Sequence, residues 1–242
     1  MTAQLSSTGP RILRDLPLEI DADEVLRFQG YKKGIDVPGA GVLALFDAAV
    51  ALGQDLLAPR AIIRWLPVTA RTPYRLQIGD TALDIPDIGD QWGAVEHVAV
   101  AVCTIGAALE RRVADLWDAR ELPMAAMLDS VGSGAVESLA EYVNDVLCQD
   151  GVAAGVRVTN RVSPGYGRWD VAGQRALFAV CPADPIGVTL NEACFMTPVK
   201  SISLVAGAGV AARVDHYFSQ CARCWMPACA YRRAPAQRTV HR

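Results

Sequence analysis

HVAVAVCTIGAALERRVADLWD, residues 97–118, changes its hydrophobic period midway. His97 to Thr104 is a continuous apolar, β-branched run that stops near Gly106, the pattern of a buried strand. Ala107 to Asp118 then spaces its apolar residues as a helix does. Downstream, Leu122 to Leu147 continues as one long helical pattern, softened by Gly132 and Gly134. Val156 to Arg161, Ile186 to Leu190 and Ser201 to Ala206 read as strands, and Val171 to Val180 as a helix. Upstream, Ile12 to Ile20 reads as a strand or extended arm, and Asp21 to Gln29 as a short helix capped by Asp21 or Asp23. A turn at 30–34 follows, then a helix over Val42 to Leu57. Ala61 to Val68, Tyr74 to Gly79 and Thr81 to Ile85 read as strands, with Gly79-Asp80 as a hairpin turn. Strands and helices mix without a steady βαβ repeat. This predicts an α+β fold, a largely antiparallel or mixed sheet packed with helices.

The chain has 242 residues and a formal net charge of −3, which excludes a nucleic-acid binder held by bulk charge. Its 52% hydrophobic content is enough for a core and too high for a disordered chain. No apolar run approaches the roughly 20 residues of a membrane span, and the first residues have no signal-peptide pattern. A cytoplasmic protein with no membrane partner is expected. Seven cysteines in such a chain do not predict a disulfide framework. Cys103, Cys148, Cys181 and Cys194 lie in apolar surroundings and read as small hydrophobes. His97 reads as a core histidine, and GAGV at 207–210 lacks the context of a dinucleotide loop.

The segment RVSPGYGRWD, residues 161–170, carries the chemistry. Pro164-Gly165 makes a tight turn that aims its flanking side chains, with Arg161 before it and Tyr166 after it. A guanidinium there can grip a carboxylate with two parallel hydrogen bonds. VESLAEY at 136–142 lies upstream on the long helix, with IGVTLNEACFMTP at 186–198 and HYF at 216–218 downstream. Taken singly these residues say little. Glu137 would be a solvated helix face, and Arg161 a surface ion pair worth at most ~1 kcal/mol. Tyr166, Tyr217 and Phe218 would be core aromatics.

Their joint order resembles the activation domain of cobalamin-dependent methionine synthase. The resemblance rests on Arg161, Pro164, Gly165 and Tyr166, then on Ile186 to Glu192, on Met196 to Pro198 and on Tyr217-Phe218. It spans roughly residues 95–218, while VLRFQGYKKG at 25–34 is similar to the shorter, free-standing members. It implies a methionine synthase activation domain-like fold and a site for S-adenosylmethionine (SAM). Arg161 would hold the ligand carboxylate, and Ser163, Gly165 and Tyr166 its polar ends through the backbone. Glu137 would face its cationic part, and Tyr217 and Phe218 would pack on the adenosine or near the sulfonium. The implied partner is a separate corrinoid-binding methyltransferase, such as methionine synthase, whose cobalamin is reduced and remethylated. The chain would then belong to a methyltransferase system without needing a side chain as acid or base. On this reading residues 1–95 are the N-terminal α+β part of the same domain, 96–218 the SAM-binding core, and 219–242 a Cys- and Arg-rich appendage. The segment GRWDVAGQ after the turn departs from the family pattern, and the family's N-terminal acidic contact has no counterpart that can be placed.

CARCWMPACAYRR at 221–233 spaces Cys221, Cys224 and Cys229 as C-x2-C-x4-C. Three thiolates with one open position suit an iron–sulfur cluster, or zinc with a fourth ligand from His216, Cys194 or Cys181. A cluster there could pass the electron that corrinoid reduction needs. Two further readings stay open: a non-catalytic metal- or cluster-binding electron-transfer adaptor that keeps the fold without SAM, and a SAM sensor without chemistry.

Overall fold

The apolar run His97–Thr104 lies at the centre of a five-stranded sheet in the computed structural model, which describes Leu5 and residues 9–215. In chain order the elements begin with β1 (Arg11–Arg14), α1 (Ala22–Phe28), α2 (Ala40–Gln54) and β2 (Arg60–Pro67). Next come β3 (Ala70–Thr72), β4 (Arg75–Ile78), β5 (Thr81–Asp84), α3 (Ile88–Trp92) and β6 (His97–Thr104). The long helices α4 (Ala108–Asp118) and α5 (Leu122–Ala154) precede β7 (Arg157–Val158) and α6 (Gln174–Val180). β8 (Thr189–Leu190), β9 (Met196–Thr197) and β10 (Ser201–Gly209) complete the described chain. The main sheet has the order β1-β2-β6-β10-β7, and every neighbouring pair is antiparallel. The expected α+β class with an antiparallel sheet is therefore found. β1 and β2, from the first 95 residues, share this sheet with β6 and β10.

β6 reads as a continuous apolar run because both faces of the sheet are covered. Ala99, Ala101 and Cys103 pack with Leu109, Leu128 and Leu139 of α4 and α5. Val98, Val100 and Val102 pack with Leu76, Leu83, Trp92 and Leu177 from β4, β5, α3 and α6. The glycines that soften the pattern of α5 do not interrupt it. A methyl group on Gly132 would lie 2.6 Å from Leu109 Cδ2, and one on Gly134 2.8 Å from Val25 Cγ2. Their absent side chains let α4 and α1 close onto α5.

Several boundaries differ from expectation. β1 ends at Arg14 because Asp15 turns to φ 51, so the segment read as a strand or extended arm over Ile12 to Ile20 is strand only as far as Arg14. α5 runs seven residues beyond Leu147, to Ala154, and stops at Gly155 with φ 72. The strand expected over Val156 to Arg161 shrinks to Arg157–Val158. The strand expected over Ile186 to Leu190 is half turn: a 3-10 turn at Asp184–Ile186 and Gly187 at φ 76 leave only Thr189–Leu190 as β8. β3 and α3 carry too few residues to show a period. Asp21 caps α1, its side chain accepting from the backbone N–H groups of Asp23 at 2.9 Å and Glu24 at 3.4 Å. No helix among the described residues is long and apolar enough to cross a membrane.

Candidate functional site

The chain returns from α5 alongside β10, and this reversal builds the site. After β7, Val162 and Val205 exchange backbone hydrogen bonds, each 2.9 Å, which pins residues 161–163 to the sheet edge under α5. The turn that follows closes on itself. Gly165 N–H donates to Trp169 O at 2.9 Å, and Trp169 N–H to Tyr166 O at 3.1 Å. Gly165 and Gly167 hold φ values of 87° and 60°, which favour glycine. Buried Trp169 anchors the turn, Asp170 caps the 3-10 turn Val171–Gly173, and Arg168 pairs with Asp87 at 3.0 Å.

This frame brings Arg161, Tyr166 and Glu137 together. Arg161 Nη2 donates to Glu137 Oε2 at 3.3 Å and to Glu141 Oε1 at 2.7 Å. Tyr166 donates its hydroxyl to Glu137 Oε1 at 3.3 Å. The side chains of Arg161 and Glu137 are only 12% and 14% exposed, whereas Glu141 is 59% exposed. Glu137 is thus no solvated helix face and Arg161 no loose surface pair, while Tyr166, 49% exposed, is no core aromatic. Burial works against the charge of Arg161, but Glu141 and Glu137 outweigh it and hold the guanidinium above its ordinary pKa. On the sheet beside it, burial pushes the Cys103 thiol up to about 12, although the Arg161 cation pulls the other way. Ser163 is buried, and its hydroxyl has no hydrogen-bond partner among the described residues.

Glu141 is the participant that sequence reasoning missed. It lies one helical turn from Glu137 in the quoted stretch VESLAEY, and i,i+4 spacing puts both carboxylates on one face. Tyr217, Phe218, Cys221, Cys224 and Cys229 lie outside the described residues, as does His216. Among the described residues no group of three or more His, Cys, Asp or Glu is placed to hold a metal. Cys103, Cys181 and Cys194 are buried free cysteines, and Cys148 is half-buried. Burial pushes Cys181 up to about 11, against the thiolate that a metal ligand requires. A cleft of ≈ 560 Å³ opens beside the turn, with Tyr74, Asp87 and Arg168 on its walls.

A guanidinium flanked by one half-buried and one exposed carboxylate and by an exposed phenol suits a ligand that carries a carboxylate and a positive charge. No protein-family model matches the chain, and no curated protein matches it. Among solved structures it is similar to a crystal structure of the MetH reactivation domain bound to AdoHcy. The match has 13% sequence identity and a TM-score of 0.63, covering 88% of this chain and 81% of that one. The chain therefore has the fold of that reactivation domain.

Proposed function

We propose that the protein binds SAM and supports reductive methylation of the corrinoid on a separate B12-dependent methyltransferase, with methionine synthase as the leading partner. The observation that carries this reading is the convergence of Arg161, Glu137 and Tyr166 beside the Pro164-Gly165 turn, in a chain with the fold of a reactivation domain that binds AdoHcy. Arg161 holds the methionine carboxylate, and Glu137 faces the positively charged part of the ligand. The backbone of Ser163, Gly165 and Tyr166 meets its polar ends, and the resemblance assigns Tyr217 and Phe218, outside the described residues, to the adenosine or the sulfonium. The partner's corrinoid supplies the cobalt nucleophile, once an external one-electron donor has reduced it. This chain contributes positioning: it binds the methyl donor and presents it to the docked partner.

The Cys221, Cys224 and Cys229 group is proposed as a separate zinc or iron–sulfur site that serves electron delivery or the stability of the C-terminal part. Iron, sulfide and zinc analysis of anaerobically purified protein tests it. Absence of all three refutes it and, with it, the adaptor reading.

Titration calorimetry of SAM tests the main reading. Wild-type protein is expected to bind, and Arg161→Ala to bind at least ~1.5 kcal/mol more weakly, the worth of a charge-assisted hydrogen bond. No heat with the wild type, alone or with a cobalamin-loaded partner, refutes it.

A further inference from the structure

Resting on the SAM reading above, we infer that Glu141 is a built-in competitor for the carboxylate subsite at Arg161. A guanidinium grips a carboxylate with two parallel hydrogen bonds along either of two edges, Nε–Nη2 or Nη1–Nη2. Both edges include Nη2. In this protein Nη2 has two N–H groups and already two acceptors, Glu137 Oε2 at 3.3 Å and Glu141 Oε1 at 2.7 Å. A ligand carboxylate can therefore take a two-bond grip only where one glutamate lets go.

The two glutamates differ in freedom. Glu137 is 14% exposed and also accepts from the Tyr166 hydroxyl, so it is held on two sides. Glu141 is 59% exposed, and water can take over the solvation of its carboxylate when it swings away. Glu141 is thus the group that yields, and a ligand pays for its release. The exchange is selective. It taxes only ligands that bring a carboxylate to Arg161, and it leaves Arg161 paired, and its buried charge compensated, when no ligand is bound. Glu141 acts through Arg161 and is a specificity-determining residue, not a catalytic one.

The test uses the full-length protein, with S-adenosylhomocysteine and 5′-methylthioadenosine as probes. The first carries the amino-acid carboxylate, and the second shares the nucleoside thioether without it. Glu141→Gln keeps the shape of the side chain and removes its charge. The variant is expected to bind S-adenosylhomocysteine roughly 3- to 5-fold more tightly, the release of a partly exposed ion pair, and methylthioadenosine as the wild type does. Glu141→Asp, which retains the charge, is expected to stay close to the wild type. Equal or weaker binding of S-adenosylhomocysteine by Glu141→Gln overturns the competitor role, as does an equal gain for both ligands. Failure of both proteins to bind S-adenosylhomocysteine overturns instead the functional reading on which the inference rests.

Discussion

Replacing Arg161 by Met removes the positive charge while the unbranched side chain still fills the space of the arginine stem. Two carboxylates lose their cation. Glu137, 14% exposed, resembles a member of a buried pair, and Glu141, 59% exposed, a member of a surface pair. Removing one partner of a fully buried pair costs ~3–5 kcal/mol, and of an exposed pair ~0.2–1 kcal/mol. Glu137 keeps the Tyr166 hydroxyl, which offsets part of the loss. The variant should therefore be ~2–3 kcal/mol less stable, most of it from Glu137. In a chain of this length that corresponds to a fall in Tm of roughly 4–12 °C. Urea unfolding followed by circular dichroism measures the difference at neutral pH. Adding Glu137→Gln to the variant removes the stranded buried charge and should restore much of the stability. The reasoning fails if Arg161→Met costs under ~1 kcal/mol, because Arg161 and Glu137 then sit in water-like surroundings. It also fails if the second substitution restores nothing.

Three other measurements follow from the fold. A methyl group on Gly207 would lie 2.7 Å from Trp92 Cε3 and from Val95 Cγ1, so Gly207→Ala should overpack this face of β10 and cost ~1–3 kcal/mol in urea unfolding. Asp21→Ala removes the cap of α1 and should cost ~1 kcal/mol, whereas Asp21→Ser should cost little. Burial raises Cys103 to about 12 and Cys181 to about 11 from an ordinary 9.0. Both thiols are protonated in the folded and unfolded states below that value. As pH rises past 9 the unfolded thiols ionise while the folded ones do not, so stability is full below pH 9 and declines toward pH 12. Cys103→Ala should flatten that decline, and an unchanged slope from pH 9 to 12 refutes the assignment.

The parts of the fold legible in the sequence are those with enough residues to show a period. β6, α4 and α5 carry apolar residues over several turns or pleats, and their types follow from spacing alone. β3, α3 and β8 are each five residues or fewer, and tertiary packing decides their conformation. The end of α5 is not legible from spacing because QDGVAAG contains two glycines. Gly151 stays inside the helix, packed against Val158, and only Gly155 takes the left-handed stop.

The site divides along the same line. The Arg161 turn was legible because Pro164-Gly165 dictates local geometry, and the backbone closes there as expected. The electrostatic state of Arg161 was not legible. It depends on Glu137 and Glu141, more than a β-strand away in the chain, being carried under the turn when residues 161–163 pair with β10. Taken alone, Glu137 reads as a solvent-facing helix position, and the fold converts it into a partly buried counter-ion. An arginine already compensated in this way costs the protein little to keep ready beneath the surface, whereas a bare buried guanidinium would shed stability. Glu141, the exposed acceptor on the same nitrogen, adds a cost that only a ligand bringing a carboxylate to Arg161 meets. Stability of the empty site thus rests mainly on Glu137 and the cost to a ligand carboxylate on Glu141, so Glu141→Gln relieves the second while leaving most of the first in place.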